Sequence, residues 1–141
     1  MKKVDFDEYA EDYDTLLGQQ LNFFSEDVDY YARYKVDLVA ELLGADATDK
    51  PLKILEFGCG TGRNLVTFRQ LFPNAELTGY DISQKSIKVA ADTIEKVEFT
   101  SDLANLKSDY YDLIFVAGVY HHIEPSLRAQ VTQNIYRYAK S

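Results

Sequence analysis

The stretch LKILEFGCGTGRNL, Leu52 to Leu65, constrains the fold of this chain more than any other segment. It passes from an apolar, branched run that reads as a buried strand, through glycines at three alternate positions, into a segment with helical spacing. Glycine has no Cβ and accepts positive φ, so a turn built on Gly58, Gly60 and Gly62 can bring its backbone against a ligand. Strand, glycine turn and helix in that order form the opening unit of a parallel α/β layer.

The turn departs from one well-known ligand pattern. The dinucleotide fingerprint G-x-G-x-x-G needs its third glycine at position 63, where Arg63 stands, and this counts against NAD and a nucleotide-dependent oxidoreductase. Read alone, the glycines are compatible with a ligand loop or with a simple tight turn.

The remaining periodicities extend the α/β reading in both directions. In SEDVDYYARYKVDLVAELLG, Ser25 can cap a helix, Tyr31, Tyr34, Leu38 and Leu42 recur at helical spacing as its inner face, and Gly44 stops it. Beyond the turn, GRNLVTFRQLF places Leu65, Phe68, Leu71 and Phe72 on one helical face. AELTGYD is a second strand, and Ser83 caps a helix over SQKSIKVAADTIEK that turns Ile87, Ala90, Ala91 and Ile94 inward. VEFTSD is a short third strand, and YDLIFVAGVY a fourth that is apolar on both faces, as a central parallel strand should be. EPSLRAQVTQNIYRYAKS closes as a helix with Leu127, Val131, Ile135 and Tyr138 facing the core. Such alternation predicts a mostly parallel sheet with helices on its faces.

Composition excludes several classes of partner. With 15 basic against 23 acidic side chains the formal net charge is -8 over 141 residues, and no Lys/Arg cluster offsets it, so nucleic acid is not expected as a partner. No apolar run approaches the roughly 20 residues of a membrane span. The single cysteine, Cys59, cannot form an internal disulfide, and a cytoplasmic location is expected.

The order Glu56-x-Gly58-x-Gly60-x-Gly62 resembles motif I of the class I S-adenosylmethionine-dependent methyltransferases, and ILEFGCGTGRNL matches it over its whole length. The resemblance continues in LTGYDIS, which sets Asp81 after the second strand, where family members carry the acidic residue that binds both ribose hydroxyls. A carboxylate suits a diol because it offers two acceptor oxygens.

The resemblance implies S-adenosyl-L-methionine as cofactor, S-adenosylhomocysteine as product and a small-molecule methyl acceptor. Further site roles follow from it. Glu56 would orient the cofactor's ammonium region, Gly58, Cys59, Gly60, Gly62 and Arg63 would border the methionine and ribose, and Ile82 would pack on the adenine. Asp102 would accept the adenine amino group, with Leu103 at the ring edge and Ala117 and Gly118 against the methionine moiety. The opening FDEYAEDYD resembles an N-terminal lid with Tyr9 and Tyr13 as pocket residues, so residues 1–24 are expected as lid and 25–141 as the cofactor domain.

Bland readings stand beside these roles. Asp81 can serve as a surface loop carboxylate, Asp102 as ordinary turn chemistry, Cys59 as small filler, and Tyr9 and Tyr13 as packing aromatics. His121 and His122 follow the fourth strand, where either can be a general base or a loop-shaping group. A shared metal is not expected, because neighbours on an extended strand point to opposite faces.

The family resemblance implies a three-layer α/β/α sandwich with parallel strand order 3-2-1-4, truncated before strands 5 to 7. The fourth strand is then expected as an exposed edge, prone to self-association. A non-enzymatic module that only binds S-adenosylmethionine or S-adenosylhomocysteine is the alternative functional reading.

Overall fold

Parallel strands Lys53–Phe57 (β1), Glu76–Tyr80 (β2), Val97–Thr100 (β3) and Leu113–Phe115 (β4) build the sheet of this chain. The computed structural model describes residues 25–141, with side chains from Asp29 onward, so residues 1–24 with Tyr9 and Tyr13 lie outside the described residues. The strands run in the order β3-β2-β1-β4, as the family resemblance implies. Ile54 lies opposite Leu77 of β2 on one side and Leu113 of β4 on the other. Helices Ser25–Leu43 (α1), Arg63–Leu71 (α2), Gln84–Thr93 (α3) and Arg128–Tyr136 (α4) complete the layers.

Alternate residues of β1 serve two cores, because successive strand side chains point to opposite faces. Ile54 joins Leu77, Leu65, Phe68, Phe72 and Val36 beneath α1 and α2, while Leu55 joins Tyr80, Leu106, Tyr111 and Tyr138 on the other face. Each of Leu65, Phe68 and Phe72 is fully buried and contributes roughly 1.5–3 kcal/mol. Arg69 fastens α2 to its surroundings, donating to the carbonyl of Ala75 (2.8 Å) at the entry to β2 and to that of Lys96 (2.7 Å) before β3.

Helix α1 forms where expected, and the Gly44 N–H closes it by donating to Ala40 O (3.1 Å). Its inner face is the other one. Ala32 and Val36 are buried, with Val39 and Ala40 packed beside Val36, whereas Tyr31 is 59% and Leu42 80% exposed, with Tyr34 and Leu38 also on the outside. Small side chains let α1 approach α2 closely, and the tyrosines keep their hydroxyls in water. On α3, Ser83 caps as expected, accepting from the Ser86 N–H at 3.1 Å, but Ala91 is exposed and Ser86 takes the inward place beside Ala90. At the end of the chain Pro125–Leu127 forms a separate 3-10 turn that leaves Leu127 exposed, while Ile135 and Tyr138 are buried.

The fourth strand is shorter than the apolar run YDLIFVAGVY suggests, with half-buried side chains throughout Leu113–Phe115. Its outer edge is not bare at its start. The Tyr111 N–H donates to Tyr138 O (3.0 Å) and the Lys140 N–H to Tyr111 O (2.9 Å), so the segment after α4 begins to run parallel beside it.

Candidate functional site

At the carboxyl end of β1 the chain turns sharply, and both the Gly58 and the Cys59 N–H donate to Tyr80 O, at 2.7 and 2.9 Å. The turn is thereby pinned to the end of β2. A Cβ on Gly58 would overlap Val119 Cγ2, and one on Gly62, the cap of α2, would stand 2.5 Å from Ile94 Cδ1. At Gly60 (φ +54°) no atom of the described residues lies within 4 Å of that position. Packing explains the outer two glycines; of the three, Gly60 is the one that the described residues leave open to a ligand.

Asp81 ties three strand ends together. Its Oδ2 accepts the Gly60 N–H at 2.8 Å, its Oδ1 accepts the Ser83 N–H at 2.9 Å, and its own N–H donates to Thr100 O at 3.3 Å. An ionised carboxylate has about four lone-pair sites, so each oxygen retains capacity for a further donor. Ile82 beside it is 66% exposed, and Leu103 beyond the end of β3 is also exposed. Apolar surface at the carboxyl edge of a parallel sheet is where open α/β folds take their ligands.

Asp102 makes the turn contact that its sequence context allows. Its Oδ1 accepts the Ala104 N–H at 2.9 Å and caps the 3-10 turn Leu103–Asn105, while Thr100 Oγ1 accepts from the Asp102 N–H at 3.1 Å.

Glu56 is 1% exposed on β1. Asn64 Nδ2 of α2 donates to its Oε1 at 2.8 Å, and its Oε2 is buried with no hydrogen-bond partner among the described residues. Burial pushes the carboxyl up to about 8, against the Asn64 hydrogen bond and the Lys35 charge, which favour ionisation; Asp81 adds to the upward push. Asn64 escaped the sequence reading, although a polar residue in the first turn after a glycine loop can reach back to the strand before it.

Cys59 is buried, and burial raises its thiol far above the ordinary range, which keeps it in the protonated, unreactive form. Arg63 opens α2 and, with Thr61, lines a cavity of about 600 Å³ between α1, α2 and α3. A second, apolar cavity of about 220 Å³ reaches from Phe57 and Leu103 to Val131 and Ile135 near α4.

The end of β4 brings Ala117, half-buried, and Gly118, exposed with φ +70°, to the same edge. His121 and His122 lie in the 3-10 turn Tyr120–His122, and their rings sit with centroids 3.8 Å apart, tilted at 43° to one another. The extended strand that would send them to opposite faces is not there, because the backbone leaves the sheet after Phe115. His122 is held below the usual histidine range by burial and by the neighbouring His121, which favours the neutral, proton-accepting form. Among the described residues no group of three or more His, Cys, Asp and Glu side chains comes together for a metal.

The family model for the methyltransferase domain matches residues 55–141, from within β1 to the final residue. The chain belongs to the class I S-adenosylmethionine-dependent methyltransferases. The cofactor of these methyltransferases is S-adenosyl-L-methionine. This methyltransferase chain is 32% identical over 108 residues to malonyl-[acyl-carrier protein] O-methyltransferase of Bacillus cytotoxicus, covering 71% of this chain and 38% of that relative. A putative S-adenosyl-L-methionine-dependent methyltransferase of Methanococcus maripaludis shares its fold with a TM-score of 0.70 at 18% identity, over 100% of this chain and 63% of that one. The plantazolicin methyltransferase BpumL, solved with S-adenosylhomocysteine, has a TM-score of 0.66 at 21% identity, over 96% of this chain and 53% of that one. The methyltransferase chain thus spans less than two thirds of each of these proteins.

Proposed function

We propose that this chain binds S-adenosyl-L-methionine along the edge formed by the glycine turn, Asp81 and the loop after β3, and that the protein methylates an O, N or C nucleophile of a small molecule. The observation that carries the reading is the bond between the Gly60 amide and Asp81, which sets an open backbone position beside a carboxylate with acceptor capacity to spare. The residues present fit the cofactor. Asp81 would hold the ribose hydroxyls, Ile82, Leu103 and Asp102 the adenine, and Gly58, Cys59, Gly60, Gly62 and Arg63 would border the nucleoside and methionine portions. Glu56, with a buried acceptor oxygen to spare, would attract the ammonium region, and Ala117 and Gly118 would meet the methionine end.

When bound, the cofactor supplies an electrophilic methyl group on a sulfonium centre. The chain's own residues then have to bind the nucleoside, hold the acceptor in line and keep water out. An acceptor that must first lose a proton needs a base, and His122, held in its neutral form, or its neighbour His121 is placed after β4 to take it. In this reading residues 1–24, carrying Tyr9 and Tyr13, serve as a lid and residues 25–141 as the cofactor domain. The net charge of -8 favours such acceptors over nucleic acid, and one relative is named for transfer to malonyl-[acyl-carrier protein].

Calorimetric titration with S-adenosylhomocysteine, with NADH as comparison, tests the site, and a methyl-transfer screen against small acceptors tests the activity. Binding of S-adenosylhomocysteine without NADH is the expected result. Tight binding with no transfer to any acceptor would turn the reading towards a binding module.

A further inference from the structure

Glu56 presents an unusual pair of oxygens. Oε1 is held by Asn64 Nδ2 at 2.8 Å, while Oε2 is equally buried and has no hydrogen-bond partner among the described residues. A buried carboxylate with one oxygen unsatisfied is costly, so the group keeps a proton until a donor or a positive charge arrives. The groups that face it are Lys35 from α1, Asn64 from α2, Asp81 from the loop after β2 and Cys59 of the turn. The acidic Asp81 opposes its ionisation, and Lys35 and Asn64 support it.

From this geometry we infer that Asn64 is a positioning residue that keeps Glu56 Oε2 as the acceptor for a cationic ligand group, and that binding of such a ligand expels the Glu56 proton. This rests on the cofactor reading above, in which the ligand's ammonium is that group. The step is Glu56 carboxylic acid to Glu56 carboxylate, with the proton passing to the buffer and the new charge paired with the ligand's ammonium. Affinity then rises with pH through the range in which the free protein loses this proton. The burial that raises Glu56 to about 8 places that range near neutrality. The Asn64 hydrogen bond stabilises the ionised state more than the neutral one. Removing it shifts the whole profile upward, a signature that loss of packing alone does not produce.

The test is calorimetric titration of the full chain with S-adenosylhomocysteine and with S-adenosylmethionine between pH 6 and 9, in buffers of different ionisation enthalpy. Wild type is expected to release about one proton per ligand near pH 7 and progressively less towards pH 9. Asn64→Leu and Asn64→Ser, with folding verified by circular dichroism, are expected to bind roughly tenfold more weakly at pH 7 and to recover at pH 9. That corresponds to a midpoint raised by about one pH unit, the scale of a hydrogen bond to an ionised group. Glu56→Gln is expected to abolish the proton release and serves as the reference for the ligand's own titration. Proton release that is unchanged in Glu56→Gln, or an affinity loss in both Asn64 variants that is the same at every pH, overturns the inference and leaves the cofactor reading intact. Absence of binding by wild type at every pH overturns both.

Discussion

The amide of Gly60 and the carboxylate of Asp81 meet at 2.8 Å, joining the turn after β1 to the end of β2 across 21 residues of sequence. The acidic residue therefore shapes the glycine loop as well as offering acceptors to a ligand. Asp81→Ala removes an acceptor for two backbone donors, Gly60 and Ser83, and any bonds to a diol. At about 1.5–3 kcal/mol per charged hydrogen bond, the affinity for S-adenosylhomocysteine is expected to fall at least tenfold, with a smaller loss for Asp81→Asn. Calorimetry on the two variants checks this, and wild-type affinity in Asp81→Ala would remove Asp81 from the site.

The glycines separate by cause. Gly58→Ala drives its methyl into Val119 Cγ2, so thermal denaturation should show the larger loss of stability. Gly60→Ala meets no atom of the described residues within 4 Å and carries the strain of φ +54°, about 1–2 kcal/mol, yet it places a methyl where a ligand would approach. Its loss of ligand affinity should exceed its loss of stability. Equal melting temperatures for the two variants would contradict this assignment.

Glu56 makes stability depend on pH. Its carboxyl rises from 4.5 to about 8 on folding, so the folded state holds the proton more tightly than the unfolded chain. The stabilisation is fully present below pH 4.5 and is lost as pH rises through 8. His122, lowered on folding, gives a slope of the opposite sign below its ordinary value of 6.5. Denaturant titrations at pH 5, 6.5 and 8 should show wild type losing stability relative to Glu56→Gln as pH rises, by on the order of a few kcal/mol across the window. Parallel profiles for the two proteins would exclude a raised Glu56.

Arg69 holds three carbonyls, those of Pro73, Ala75 and Lys96, away from the ligand edge. Arg69→Ala should cost about 2–3 kcal/mol, and Arg69→Lys nearly as much, because a single ammonium cannot span the fork. Chemical denaturation measures the cost. Ligand affinity, read under conditions where the variant is fully folded, should stay at the wild-type value.

The inner face of α1 can be told from the outer by mutation. Val36→Ala empties a fully buried position and should lower stability by roughly 1–3 kcal/mol, whereas Tyr31→Ser and Tyr34→Ser should stay within about 0.5 kcal/mol. A large loss for the tyrosines and none for Val36 would restore the face that residue spacing suggests.

Most of the architecture is legible in the sequence. Four strands, the order of helices between them and the glycine turn follow from local signals: branched apolar runs, helical spacing, Ser83 as a cap and glycines at alternate positions. Which side of α1 faced inward was not legible, since Tyr31, Tyr34, Leu38, Leu42 and Ala32, Val36, Val39, Ala40 both satisfy helical spacing, and the choice rests on how close α2 can come. The 3-10 turn that carries the histidine pair was not legible for a similar reason. An apolar run says nothing about where its backbone leaves the sheet.

By itself the sequence determined the residue types at the strand ends: a carboxylate before the turn, glycines within it, a second carboxylate after the next strand. Local chemistry and spacing suffice for that, because each depends on neighbours within a few positions. Only the tertiary structure decided that Gly60 is open while Gly58 and Gly62 are packed, that Asp81 bonds the Gly60 amide, and that Asn64 holds one oxygen of a Glu56 whose other oxygen is buried without a partner among the described residues. Those relationships depend on which strands lie side by side and on how deeply burial removes a charge from water, and neither is a property of any single segment.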